Sequence, residues 1–230
     1  DLDAITALRA SVGGTLDVAG RSLEVSTEGW LDEVRQRLTT LDRDLIAHEQ
    51  PESLKGALRE YQRQGLTWLS QLAELGLGGI LADDMGLGKT ITLISLHVHL
   101  DASEPTLVVC PASMMSTWER EIATFAPDVP VHRFHGPGRN LTDVKEGFVI
   151  TTYATLRSSL HTLGDQHWAL VIADEAQNVK NPRSAAAKAL RALDTDIRMA
   201  LTGTPVEHHL GELWAILDWT TPGLLGSAER

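Results

Sequence analysis

Ile80-Leu81-Ala82-Asp83-Asp84-Met85-Gly86-Leu87-Gly88-Lys89-Thr90 is the stretch on which the fold turns. A short apolar run ends in acids and glycines, and a helical stretch over 89–100 opens at the Lys-Thr pair. Strand, glycine-rich loop and helix in that order make a cradle for phosphate. Glycines let backbone N–H groups turn inward around an anion, and the helix start points its positive end at the same place. Lys89 is placed to reach the β- and γ-phosphates of a nucleoside triphosphate, and the Thr90 hydroxyl to ligate Mg²⁺. The general pattern is G-x-x-x-x-G-K-[ST]. Asp83 stands at its first glycine position, and the tail Gly86-Leu87-Gly88-Lys89-Thr90 is intact.

A second segment gives the loop a partner. Leu170-Val171-Ile172-Ala173 runs into Asp174-Glu175, 85 residues after Lys89. A carboxylate at the end of a buried strand is costly unless something compensates it. A Mg²⁺ ion shared with Thr90 would compensate Asp174, largely through water because Mg²⁺ dehydrates reluctantly. Glu175 is then placed to orient the water that attacks the γ-phosphate.

Working outward, apolar strand cores alternate with helical stretches. The strand cores are 80–82, 107–110, 131–134, 148–150, 170–173 and 199–201. A helix is expected near 57–75, and others near 89–100, 113–125, 184–193 and 210–219. Near-continuous apolar strands of this kind predict an α/β fold in three layers, a mainly parallel sheet covered on both faces.

Residues 1–50 read differently. Thr15–Val18 and Ser22–Val25 flank Ala19-Gly20-Arg21 as a hairpin signal, and Trp30, Leu31, Val34, Leu38, Leu41 and Leu45 recur at helical spacing. A small α+β leader is expected there, with a boundary at Gln50-Pro51 because the residue before proline resists helix.

Composition sets further bounds. The 230 residues are 43% hydrophobic and 22% charged, ordinary for a globular domain. Cys110 is the single cysteine, so no intrachain disulfide forms, and a reducing compartment fits. No apolar run approaches 18 residues, so no membrane span is expected. The chain starts at Asp1 with no signal pattern, as a fragment would. The net charge is −11, of which −5 falls in residues 1–50. Charge alone argues against nucleic acid, since phosphate binding usually leaves a basic footprint.

Five further segments, in order, carry the reading past a generic nucleotide-binding fold. Leu58-Arg59-Glu60-Tyr61-Gln62 precedes Gly65-Leu66 and Trp68-Leu69. Pro111-Ala112-Ser113 leads to Trp118 and Glu121. Thr151-Thr152-Tyr153 ends a strand. Asp174-Glu175-Ala176-Gln177 continues as Asn178-Val179-Lys180-Asn181-Pro182. Leu201-Thr202-Gly203-Thr204-Pro205 follows, then Leu210, Glu212, Leu213 and Trp214. Over about 54–220 this set resembles the first RecA-like lobe of Swi/Snf-family DNA translocases of helicase superfamily two, and bacterial members in particular.

The resemblance implies a RecA-like P-loop lobe over 51–230, preceded by the end of an accessory region over 1–50. It implies ATP and Mg²⁺ as cofactors. Gln62 becomes the residue that reads adenine, and 83–90 the phosphate loop, in which an acid at the first position is normal. Asp83, Asp84, Met85, Gly86, Leu87, Gly88, Lys89 and Thr90 would all line the nucleotide. Pro111, Ser113, Thr151 and Thr152 would face the DNA backbone, with hydroxyls and amides suited to phosphate. Thr202, Gly203, Thr204 and Pro205 would couple nucleotide state to DNA grip. Two positions depart from the usual pattern: Gln177 where many relatives have His, and His208 where Asn is usual. Trp118, Trp168 and Trp214 are expected as core anchors.

The implied activity is ATP hydrolysis driving movement on double-stranded DNA, in the cytoplasm at the nucleoid. The implied partner is duplex DNA, with a polymerase or nucleoid protein as a possible target. A second lobe, needed to supply charge-stabilising arginines, is expected outside this chain. The isolated lobe is therefore expected to hydrolyse ATP very slowly and to bind DNA poorly. The alternatives are a non-catalytic nucleotide-binding module and a strand-separating helicase.

Overall fold

The computed structural model describes residues 15–18, 21–24, 49–82, 86–204 and 210–222. In the leader, β1 (Thr15–Val18) pairs antiparallel with β2 (Arg21–Glu24). The second strand lies one residue earlier than the sequence signal placed it. The expected helix through Trp30 and Leu45 lies outside the described residues.

The main body begins with α1 (Glu60–Glu74) and β3 (Gly79–Leu81). Next come α2 (Lys89–Leu100), β4 (Thr106–Cys110), a 3₁₀ turn at Ala112–Met114 and α3 (Met115–Phe125). The chain continues with β5 (Val131–Arg133), β6 (Phe148–Thr152), α4 (Tyr153–Ser158) and α5 (Leu160–Gly164). It ends with β7 (His167–Ala173), a 3₁₀ turn at Ala176–Val179, α6 (Ala185–Arg191), β8 (Asp194–Leu201) and α7 (Leu210–Thr220).

The six main strands form one sheet in the order β3-β8-β7-β4-β6-β5, with every pairing parallel. All six strand cores expected from the sequence are present, as are the five helices. The short helices α4 and α5 carry no strong periodic signal and were not expected.

Alternation along the central strands splits the core in two. Val108, Ile150, Leu170, Ile172 and Met199 face α1, α2 and α3, packing with Leu66, Leu69, Leu93, Ile94, Trp118 and Ile122. Leu107, Val109, Val149, Val171 and Ala200 face the opposite layer, packing with Leu156, Leu163, Leu190, Ile216 and Trp219. Each fully buried aliphatic side chain of this kind contributes about 1.5–3 kcal/mol. The three-layer expectation holds. Trp118 and Trp168 are fully buried anchors as expected. Trp214 is only half-buried, and Trp219 fills the corresponding core position. One helical turn plus a residue separates the two, which rotates Trp214 off the buried face.

The order of the strands explains why distant segments meet. From β3 the chain crosses by α2 to β4, and β7 and β8 later fill the gap between them. The carboxyl ends of β3, β8 and β7 therefore lie side by side at a topological switch point, the usual place for a ligand in an open α/β sheet. Thr202 N–H donates to Leu81 O at 3.3 Å, and Asp174 N–H donates to Val109 O at 2.9 Å, which pins both strand ends.

Candidate nucleotide site

Gly86 and Gly88 both adopt left-handed backbone, with φ of 87° and 77°. That conformation is nearly free for glycine and costs other residues about 1–2 kcal/mol. Gly88 caps α2, so the loop feeds directly into a helix N-terminus whose first residues are Lys89 and Thr90. Asp83, Asp84 and Met85 lie outside the described residues.

The loop is held from the side by α1. Tyr61 Oη and Gln62 Nε2 both donate to Leu87 O at 3.0 Å. Gln62 Oε1 accepts the Arg59 N–H at 2.9 Å, closing the first turn of α1. Gln62 is only 8% exposed, and each end of its amide already has a bond inside the protein. One N–H and one lone pair stay available, since a primary amide has two of each. A cavity of about 450 Å³ opens beside it, lined by Tyr61, Gln62, Gly86, Leu87, Arg120 and Glu121 among others.

A second cavity measures about 280 Å³. Lys89, Asp174, Glu175, Gln177, Thr202, Gly203 and Thr204 line it. The structure thus brings the loop lysine, both acids and the segment after β8 to one space. Pro205 and His208 lie outside the described residues.

Asp174 is 7% exposed. Its Oδ2 accepts the Trp118 indole N–H at 2.8 Å, and its Oδ1 accepts the Glu175 N–H at 2.9 Å. Burial pushes its carboxyl above the usual range, and the Glu175 charge pushes the same way. The Trp118 bond, the Glu175 N–H and the Lys89 charge pull it down. Tyr153 Oη donates to Asp174 O at 2.7 Å, fixing the strand end from α4.

Glu175 has left-handed backbone, φ 52° and ψ 56°, a conformation that typically stores about 1–3 kcal/mol in a residue with a side chain. The twist turns its carboxylate toward Gln177, whose Nε2 donates to Glu175 Oε2. Gln177 Oε1 in turn accepts the Thr202 hydroxyl at 3.0 Å, and Thr202 Oγ1 accepts the Thr204 N–H at 3.1 Å. An unbroken hydrogen-bond chain therefore runs from Glu175 to the segment after β8.

Burial raises the Glu121 carboxyl. The Arg120 charge and the neighbouring Thr90 hydroxyl oppose that rise, and the Asp174 charge adds to it.

These residues suit a nucleoside triphosphate with Mg²⁺. Two left-handed glycines lead into the N-terminus of α2, and a buried carboxylate lines one cavity with Lys89. Among the described residues no group of three or more His, Cys, Asp or Glu is placed to hold a metal. An ion at Thr90 and Asp174 would therefore complete its shell with phosphate and water oxygens, as Mg²⁺ commonly does.

Thr151 and Thr152, expected to lie where the chain faces the DNA backbone, have their hydroxyls engaged within the protein. Thr151 is 0% exposed, and its hydroxyl donates to Phe134 O at 2.9 Å. Thr152 Oγ1 accepts the Thr155 N–H at 3.1 Å as the N-cap of α4. The strand end and the helix start use both hydroxyls for their own satisfaction. Ser113 is exposed and Pro111 half-exposed at the end of β4.

Sequence reasoning did not assign roles to Trp118, Glu121, Tyr153 and Gln177 at the site. The available signal was the spacing of Trp118 and Glu121, three apart on one helix and therefore on one face.

A family model described as the SNF2-related domain matches residues 61–230. The chain belongs to the SNF2-related domain family. Over 201 residues it is 40% identical to YwqA of Bacillus subtilis (strain 168), which covers 83% of this chain and 22% of YwqA. It is 41% identical over 184 residues to "Helicase SWR1" of Debaryomyces hansenii, covering 75% of this chain and 11% of that protein. Among solved structures it matches the Sulfolobus solfataricus SWI2/SNF2 ATPase core in complex with double-stranded DNA. The TM-score is 0.73 and the identity 40%, covering 79% of this chain and 39% of the other. This SNF2-related chain thus spans less than a quarter of those curated relatives.

Proposed function

We propose that residues 51–230 are the ATP-binding lobe of a Mg²⁺- and ATP-dependent motor that moves on double-stranded DNA, and that 1–50 close an accessory region before it. The observation that carries this reading is the single cavity shared by Lys89, Asp174, Glu175 and the 202–204 segment. The Sulfolobus relative, an ATPase core bound to duplex DNA, supports DNA as the track. YwqA bears the name ATP-dependent helicase/translocase in provisional form.

In this reading Gln62 meets the adenine edge, the loop through Gly86–Thr90 holds the phosphates, and Lys89 neutralises the γ-phosphate. Thr90 and Asp174 would hold a Mg²⁺ ion, which would supply charge stabilisation at the transferring phosphoryl group. Glu175 orients and polarises the attacking water. Gln177, bonded to both Glu175 and Thr202, carries any shift at the acid into 202–205. Ser113 and the backbone of 111–113 contact the DNA phosphates. A second lobe supplies arginines, and the target on DNA is a polymerase or nucleoid protein.

The test is duplex-stimulated ATP hydrolysis by the full-length protein. Lys89→Ala should lose nucleotide binding and hydrolysis together. Glu175→Gln should keep binding and lower turnover by ~10²-fold or more. Duplex-dependent hydrolysis unchanged in both variants would refute the motor reading. A non-catalytic module is disfavoured because Lys89, Thr90, Asp174 and Glu175 are all present. A strand-displacement assay separates the strand-separating alternative.

A further inference from the structure

Two aromatic side chains converge on Asp174, each from a helix that starts beside the segment assigned to DNA. β4 lies between β7 and β6, with Val109 paired to Ala173 and Cys110 to Thr152. The strand ends therefore sit in a row: Asp174 after β7, 111–113 after β4, and Thr152 at the end of β6. The 111–113 segment passes through a 3₁₀ turn into α3, and Thr152 caps α4. From α3, Trp118 donates its indole N–H to Asp174 Oδ2 at 2.8 Å. From the first residue of α4, Tyr153 Oη donates to Asp174 O at 2.7 Å.

The two bonds act on different parts of the acid. The indole holds one carboxylate oxygen, while the other accepts the Glu175 N–H. Trp118 is fully buried, and close packing makes its ring move with α3. The phenol holds the carbonyl of the peptide that joins Asp174 to Glu175. It therefore bears on the left-handed backbone, φ 52°, from which the Glu175 carboxylate is presented. A hydrogen bond weakens steeply as its angle closes, so a small displacement of either helix start alters the carboxylate or the peptide. Neither ring lines the cavity that Asp174 shares with Lys89 and Glu175.

We propose that Trp118 and Tyr153 are positioning residues that couple duplex binding to the two acids. DNA seated on 111–113, beside the start of α4, sets the Asp174 carboxylate through the indole and the Glu175 backbone through the phenol. The proposal rests on the motor reading above, and it places neither residue against the nucleotide or the DNA. Coupling is a difference between states, about 5–150-fold in typical cases. A purely architectural role would act on all states alike.

The experiment compares two ratios in the full-length protein. One is kcat for ATP with saturating duplex over kcat without it. The other is duplex affinity, by fluorescence anisotropy, with a non-hydrolysable ATP analogue over that without nucleotide. Tyr153→Phe keeps the ring and removes the hydroxyl, and Trp118→Phe keeps a ring and removes the N–H. Each should cut both ratios by ~5-fold or more. Stimulated and basal turnover falling in parallel, with the ratios intact, overturns the proposal, because lost packing alone would do that. So does either folded variant that retains both wild-type ratios. Tyr153→Phe loses a single hydroxyl from a half-buried ring, and it decides the outcome alone if thermal melting shows that Trp118→Phe does not fold. A wild-type protein with neither duplex stimulation nor nucleotide-dependent duplex affinity refutes the motor reading itself, and this inference with it.

Discussion

At Gly88 one atom decides how the loop is built. A Cβ there would stand 2.4 Å from Gln62 Nε2, and the backbone already has a φ of 77°. Gly88→Ala therefore carries left-handed strain of about 1–2 kcal/mol and drives the Gln62 amide off Leu87 O. The expected outcome is a modest fall in melting temperature with a larger loss of nucleotide affinity, read by calorimetry and fluorescence. Unchanged affinity would show that the Gln62 bridge does not shape the loop. This residue was legible as a phosphate-loop glycine because its chemistry is local. The Gln62–Leu87 bond was not, because it joins residues 25 apart across two elements. For the same reason the sequence could not show that neighbouring elements engage the hydroxyls of Thr151 and Thr152.

Elements are tied to the site by few but buried contacts. Lys180, at the end of the turn that follows Glu175, pairs with Glu212 on α7 at 3.2 Å, with side chains 11% and 8% exposed. Removing one partner of such a pair leaves a desolvated charge. Glu212→Ala should cost about 3–5 kcal/mol of unfolding free energy in urea. A loss under about 1 kcal/mol would mean that the pair behaves as a surface one. The existence of the strands and long helices was legible from apolar runs and period, as at 170–173 and 89–100. The helices α4 and α5 were not, because six and five residues are too short to show a period. Helix α3 adds a connection that no pattern announces: it begins two residues after the exposed Ser113 and reaches Asp174 through Trp118.

For the whole molecule, acid is a specific stress. His97 on α2 is buried, bonded through Nδ1 to Thr106 Oγ1 at 2.8 Å and set against the Phe148 ring. Burial lowers its pKa from 6.5 to about 4. The unfolded chain then binds a proton between those values that the folded chain refuses. Stability from this group is complete above pH 6.5 and falls as the pH drops toward 4, by up to about 3 kcal/mol. Urea unfolding at stepped pH should show that slope, and His97→Gln should flatten it. An unaltered slope in the variant would place the acid sensitivity elsewhere. The strand order of the sheet was not legible, since it depends on which strands fill the gap between β3 and β4. The meeting of Lys89 with Asp174 was still inferable, because a phosphate loop and a buried acid each lack what the other provides. One feature of the central strand has a practical side. Cys110, the sole cysteine, is fully buried in β4, and burial with the nearby Asp174 and Glu119 charges pushes its thiol up to about 12. A thiol held protonated and out of solvent reacts with maleimides very slowly. The native chain is thus a silent background for dye attachment, and a cysteine placed at Ser113 would label selectively without removing the one that nature left in the core.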